Sequence, residues 1–389
     1  MENHRQSAQC SNALTMRLTF IRNNIIKIQK AKTVALKCPT VDEGEIYCIR
    51  EVDFISKSPT QYVKLGKTKR DTAQRLKEHQ TGNPRQEKSE FSLYTHMMSS
   101  LEKYLHYHFA SDCVNSEWFV IDTPRVFSDV VPLIQSLAAE HNHVRPIFNE
   151  WKSQSKSICN GKSIPVTAAH QTLHTTYIQQ YEAYKKAEAA MHIASFELRN
   201  KIGISNGIKN MVYLVTTEQI PFNQVNFLAS LSSTVDRNKC HKTETKVLPE
   251  IPKISGELPL SKIDPALNTR LKALEATYDA NKPNISNLAQ PALPITSALT
   301  TLHSTYLNSK KDYKEAEWKL QKTTAELVSM LGDNKEIPNI IMWDRQQVSK
   351  TKFEKEWAKK YFPTEYQAEE GTPITKIHRV KIDEGKKYP

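Results

Sequence analysis

Glycine is scarce, ten in 389 residues, and no G-x-x-x-x-G-K-[ST] or G-x-G-x-x-G run occurs. Without such a loop there is no backbone cradle for a nucleotide's phosphates, which argues against a nucleotide-driven motor or a nucleotide cofactor. The six cysteines (Cys10, Cys38, Cys48, Cys113, Cys159 and Cys240) form no C-x-x-C pair and no even ladder. That speaks against a zinc ribbon or a disulfide framework and for a reducing cytoplasm. No apolar run approaches the roughly 20 residues of a bilayer span. Arg17, Arg22 and Lys27 interrupt every candidate for a secretory segment. No membrane partner is expected.

What is present is positive charge. Lys and Arg number 54 against 42 Asp and Glu, a net charge of +12. Such a chain is drawn to polyanions such as nucleic acid or acidic lipid, and the bland alternative is charge kept for solubility. Residues 1–40 hold a single acid, Glu2, and place Leu14, Leu18, Ile21, Ile25 and Ile28 at helical spacing. They read as a basic amphipathic arm that either lies on nucleic acid or covers the next domain.

From Gly44 the apolar period changes. Residues 44–49 read as a strand, and a second strand around 62–65 is closed by Gly66. A helix capped by Thr68 or Asp71 runs to about Gln80, where Thr-Gly-Asn-Pro at 81–84 stops it. Residues 91–97 read as a third strand, Ser99 or Ser100 caps a short helix to Phe109, and 117–121 is a last extended piece. The class this implies is α+β, a small antiparallel sheet flanked by helices.

Beyond about residue 160 the chain repeats itself. Leu-His-Thr-Thr-Tyr at 173–177 recurs as Leu-His-Ser-Thr-Tyr at 302–306, and Tyr-Lys-Lys-Ala-Glu at 184–188 as Tyr-Lys-Glu-Ala-Glu at 313–317. Gly203 matches Gly332 and Ile208 matches Ile337, all at one offset without a gap. Each copy reads as a long amphipathic helix, a glycine C-cap, a short apolar strand and a polar segment with aromatics. The organisation expected is an arm at 1–40, a first domain at 41–150, helix-rich modules at 165–240 and 294–385, and a Pro-rich connector at 241–293. That connector should be extended and semi-rigid apart from a helix around 267–278.

Gly44-x-Ile46-Tyr47, Lys64-Leu65-Gly66, Arg75, Leu101-Glu102 and Glu117-Trp118-Phe119, in that order, resemble the GIY-YIG nuclease superfamily. The likeness, over residues 44–122, is to its T5orf172 branch of phages and mobile elements. It implies metal-dependent hydrolysis of a DNA phosphodiester with one divalent ion, Mg²⁺ (Mn²⁺ as a substitute), held mainly by Glu102. A lone carboxylate with phosphate oxygens and waters suits Mg²⁺. Arg75 falls on the family's helix arginine, whose fork matches phosphate oxygens, and His79 one turn later is placed for a phosphate contact or proton transfer. Tyr47 falls on the tyrosine proposed as base, which needs nearby positive charge to ionise. Lys64 replaces the usual second tyrosine, with Tyr62 two residues earlier on the same strand face, so the base is open between Tyr47 and Lys64. Gly66, His106 and Asn115 fall on supporting positions. The bland alternatives are a surface Glu102 paired with His106, a solvated Arg75, a surface His79 and a half-buried strand Tyr47.

The second repeat weakly resembles the C-terminal segment of phage YqaJ-type recombination nucleases. On that likeness the modules bind double-stranded DNA through lysines and arginines such as Lys350, Lys352, Lys355, Lys359, Arg379 and Lys381, spaced along it by the connector. The bland alternative is that the long helices pair and serve dimerisation. The expectation as a whole is a monomeric, site-directed nicking endonuclease of a phage or phage-related element, acting in a bacterial host's cytoplasm. The alternatives are a non-catalytic DNA-binding regulator that keeps the nuclease fold, and a helical-repeat assembly protein.

Overall fold

The computed structural model describes residues 36–81 and 85–386. Most of the basic arm, and Gly82 to Pro84 of the expected helix stop, lie outside the described residues. Everything below belongs to the unit that begins at Cys38.

Five antiparallel strands form the first sheet in the order β3-β1-β2-β5-β4. They are β1 (Gly44–Val52), β2 (Pro59–Thr68), β3 (Gln86–Thr95), β4 (Cys113–Asn115) and β5 (Trp118–Val120). Helix α1 (Thr72–Gln80) follows β2, α2 (Met98–His108) follows β3, and α3 (Val131–Gln154) closes the domain. Strand alternation divides the sheet into two faces. Ile46, Cys48, Val63 and Leu65 point to one side and are buried against Leu101 and Leu105 of α2 and Ile134, Leu137 and Ala138 of α3. Glu45, Tyr47, Lys64 and Gly66 point to the other side, toward α1.

Two helix starts explain how the site is aimed. The Asp71 carboxylate caps α1 by accepting from the Ala73 amide at 2.6 Å, and Glu45 on β1 accepts from the Thr72 amide at 2.9 Å. The second bond ties the first turn of α1 to the strand that carries Tyr47. The expected serine cap of α2 is not what forms. Its N-cap is Met97, and Asp42 takes the role from outside the helix by accepting from the Ser99 amide at 3.1 Å. Helix α3 was not foreseen, and it carries Pro146 within its length.

The repeats supply α4 (Ala168–Arg199) and α8 (Ser297–Leu331), which pack antiparallel: Tyr184 meets Tyr313, while Gln180 accepts from Thr323. After α4 come β6 (Gly207–Ile208), β7 (Val212–Gln219), α5 (Gln224–Ser230), α6 (Thr234–Lys239), β8 (His241–Leu248) and β9 (Lys253–Ile254). Then α7 (Pro265–Asn281) lies in the stretch read as connector, capped by Asp264 with proline at its first turn. After α8 come β10 (Glu336–Ile337), β11 (Ile341–Met342), β12 (Gln346–Phe353), α9 (Lys355–Tyr361), α10 (Pro363–Ala368) and β13 (Ile374–Ile382).

The repeats exchange strands. β7 of the first pairs with β13 of the second, and β8 and β9, which lie in the stretch read as an extended connector, pair with β12 and β11 of the second and so belong to the first repeat. The stretches expected as separate modules therefore build one body. Its apolar knots sit at the helix ends and at a tip where Phe222, Phe227 and Leu231 meet Phe353, Phe362 and Tyr366.

The first domain docks on α8. Trp318 lies between His141 and Phe148 of α3 and donates to Glu140 at 3.1 Å, while Tyr104 of α2 donates to Glu315 at 3.1 Å. Among the described residues no helix is long and apolar enough to cross a membrane.

Candidate active site

β1 and β2 pair so that Tyr47 stands directly opposite Gly66. The phenol crosses β2 there, and a Cβ on residue 66 would lie 2.5 Å from its oxygen. Glycine at 66 is thus a space requirement. Arg75, brought over by α1, donates a hydrogen bond to the Tyr47 oxygen and pairs with Glu78 at 3.0 Å. Burial pushes the Tyr47 phenol above its ordinary value, the Arg75 bond pulls it back only in part, and the charges of Glu117 and Glu102 push it up further.

Lys64 emerges next to Tyr47 on β2 and is buried. Its ammonium donates to His79 Nε2 at 3.3 Å and pairs with Glu117 at 3.4 Å. Burial first, then the charges of Lys64 and Arg75, push the His79 imidazole below its ordinary value. The ring is therefore neutral near pH 7, with Nε2 as acceptor and the proton on Nδ1.

Glu102 projects from α2 at the end of β2, where Lys67 pairs with it at 2.9 Å. Lys67 also donates to Ser99 at 2.8 Å. No motif in the sequence marks this lysine. It directly follows Gly66, but strand alternation sets it on the opposite face from Lys64, and only the position of α2 brings it to the carboxylate. Glu117, the partner of Lys64, was read only as part of a motif.

Tyr47, Lys64, Arg75 and His79 thus lie around Gly66, and Glu102 stands at the end of β2, close enough for its charge to act on the Tyr47 phenol. The supporting residues divide. His106 donates from Nε2 to the Leu65 carbonyl at 2.8 Å and packs on Phe119, which holds α2 against β2. Tyr62 is half-buried on β2 opposite Val120, beyond Lys64 from the cluster. Asn115 is exposed on β4, where it pairs with Trp118, and its side chain forms no hydrogen bond among the described residues. Of the basic residues expected to bind DNA, Lys350 and Lys352 lie on β12, Lys355 and Lys359 on α9, and Arg379 and Lys381 on β13, all exposed.

Among the described residues no three His, Cys, Asp or Glu side chains cluster as a metal cage. One partly exposed carboxylate is the donor set of an ion that keeps its waters, so Glu102 fits Mg²⁺ better than Zn²⁺.

No curated protein and no solved structure matches the chain. The family match stops before the repeats, so the likeness to YqaJ-type nucleases gains no support from it. The model of the T5orf172 domain matches residues 45–135, from β1 into the first turns of α3, and so the sheet with Tyr47, Arg75 and Glu102 is similar to the T5orf172 branch of GIY-YIG-like nucleases.

Proposed function

We propose that the first domain hydrolyses a phosphodiester of double-stranded DNA with one divalent ion, Mg²⁺, for which Mn²⁺ can substitute. The observation that carries this reading is the gathering of Tyr47, Lys64, Arg75 and His79 around Gly66, with the Glu102 carboxylate at the end of the same strand.

Glu102 would hold the ion, with Lys67 orienting the carboxylate. When bound there, the ion supplies a Lewis acid for the phosphate and for the departing 3′ oxygen. Arg75 is the phosphate ligand, since a guanidinium fork matches two phosphate oxygens and the charge that grows on them. Between the candidate bases the environment favours neither Tyr47, whose phenol burial keeps protonated, nor Lys64, whose ammonium is engaged by Glu117. His79 sits on the same helix face as Arg75 and its Nε2 is unprotonated, so the proton of the attacking water goes to Nε2. As it does, the Lys64 ammonium, which donates to that nitrogen at 3.3 Å, turns its N–H to Glu117 and a phosphate oxygen. Tyr47 orients Arg75.

One site per chain cuts one strand, so the expected product is a nick, as for a site-directed enzyme of a phage or phage-related element. The test is conversion of supercoiled plasmid to open circles with Mg²⁺, by the wild type and by Glu102→Ala. Nicking that needs both the ion and Glu102 is the expected result. No cleavage, with salt-sensitive DNA binding retained, would instead assign the chain to the non-catalytic DNA-binding regulators.

A further inference from the structure

The strand exchange makes the two repeats halves of one two-fold object. Contacts between corresponding residues mark its axis. The Tyr184 and Tyr313 hydroxyls, matched by the shared offset, lie 3.5 Å apart between the long helices. The Phe222 and Phe353 rings, each just before the N-cap of α5 and α9 and matched by that place rather than by the offset, stack 6.0 Å apart at the tip. Other contacts come in matched pairs. His174 bonds the Ser255 carbonyl at 2.9 Å as His303 bonds that of Asp383 at 3.0 Å. The Asn223 amide reaches the Glu369 carbonyl as the Glu354 amide reaches that of Cys240.

Two ribbons, β7–β13 and β8–β12, run from opposite ends of the helix pair to the tip. At about 3.4 Å per residue each is about 27 Å long. Their middles are exposed on both faces: Thr243, Lys246, Lys350 and Thr351 in one, Thr216, Thr217, Lys376 and Arg379 in the other. Side-chain alternation gives each ribbon one basic face. Lys242, Lys246, Lys350 and Lys352 share a face of β8–β12, with Glu244 between Lys242 and Lys246 at 3.2 Å from each and Lys352 reaching Glu354 at 3.5 Å. Lys376, Arg379 and Lys381 share a face of β7–β13 that holds no acid, and these three and Lys350 make no ion pair among the described residues. Counted back along β7 and β12 from Phe222 and Phe353, Thr217 corresponds to Val348, so their cross-strand partners Lys376 and Lys246 occupy corresponding places in the two ribbons.

We propose that the repeat body is a fused pseudo-dimer that binds duplex DNA about its internal two-fold axis, one basic ribbon on each of two inverted half-sites. The proposal rests on the reading of the first domain as a DNA enzyme and goes beyond it by naming the form of the target. Exposed ammonium and guanidinium groups complement a phosphate backbone: Lys376, Arg379 and Lys381 have no acid on their face, and four lysines outnumber the single Glu244 on the face of β8–β12. A two-stranded antiparallel ribbon has the width the major groove admits. A two-fold protein matches the local dyad of a duplex, which is why symmetric binders select palindromes. The ribbons differ in sequence, so the target is an imperfect inverted repeat. The first domain lays α3 on α8 and not on the matching stretch of α4, where Trp318 and Lys322 are replaced by Ala189 and Ile193. The cut therefore falls to one side of the target's centre.

The test uses full-length Glu102→Ala, which leaves the ribbons untouched, in selection from random duplexes. An imperfect inverted repeat is the expected product. On that duplex, Lys246→Glu with Lys350→Glu, or Lys376→Glu with Arg379→Glu, should each weaken binding about tenfold or more and lower the log–log salt slope by about 2, at roughly 0.9 per phosphate contact. Each pair should also erase selectivity in a different half-site. A selected sequence without two-fold character, or duplex binding that neither double variant alters, overturns the pseudo-dimer while the nuclease reading stands. Absence of both duplex binding and nicking in the wild type overturns the two together.

Discussion

Lys64 stands where a second tyrosine would complete the family's motif, and its ammonium meets His79 and Glu117. Protonating His79 would set a third positive charge beside Lys64 and Arg75, so its titration lies below the ordinary value of about 6.5. If its Nε2 takes the water's proton, nicking is retained above that depressed value and lost as pH falls through it. Lys64→Met removes one source of the depression. The acid limb should then move upward, so the variant loses more rate at pH 6 than at pH 8. Single-turnover nicking against pH measures this, and a limb that stays in place in Lys64→Met means that another group titrates. At this scale most of the cluster was legible, because motif order alone picked out Tyr47, Lys64, Arg75, His79 and Glu102. Lys67 was not, since its partner is set by helix packing. Asn115 was carried over by position, and its side chain stands apart from the others.

Helix α3 is the seam between nuclease domain and repeats, and its centre is a buried histidine. His141 packs on Trp318 at 4.9 Å, its Nδ1 has no hydrogen-bond partner, and burial pushes its titration down to about 4. The unfolded chain takes up this proton near pH 6.5, whereas the folded chain refuses it until about 4. Stability is therefore lost as pH falls from about 6.5 to about 4, by about 3 kcal/mol at most. His141→Leu should leave the protein as stable or more so at pH 7.5, because it removes an unsatisfied buried nitrogen, and should narrow the gap between pH 7.5 and pH 4.5. Thermal unfolding at both values decides it, and an unchanged gap would acquit His141. The strands of the first sheet were legible because one of their faces is apolar. β8 and β12 were not, because a ribbon wet on both faces writes no alternation into its sequence. Helix α7 came out longer than the segment read at 267–278, since Pro265 at its first turn starts a helix there as readily as it ends one elsewhere.

The internal repeat was plain from one shared offset, but an offset is the same whether each copy folds alone or trades strands with the other. What separates the cases is pairing across more than a hundred residues, as between His241 and Phe353, and no local pattern records that. Each copy therefore carries strands whose partners lie in the other. Excising residues 165–293 joins the chain at equivalent points on either side of the first copy and leaves β12 and β13 without β8 and β7. A second identical chain offers what was removed, since β13 of one molecule can take the place of β8 against β12 of another. The shortened protein should sediment as a homodimer, and a monomeric, folded deletion product would count against it. Such a dimer would carry two T5orf172-like domains on one two-fold object, so on the proposed chemistry a single recombination between the repeats would turn a chain that opens one strand into one that severs both.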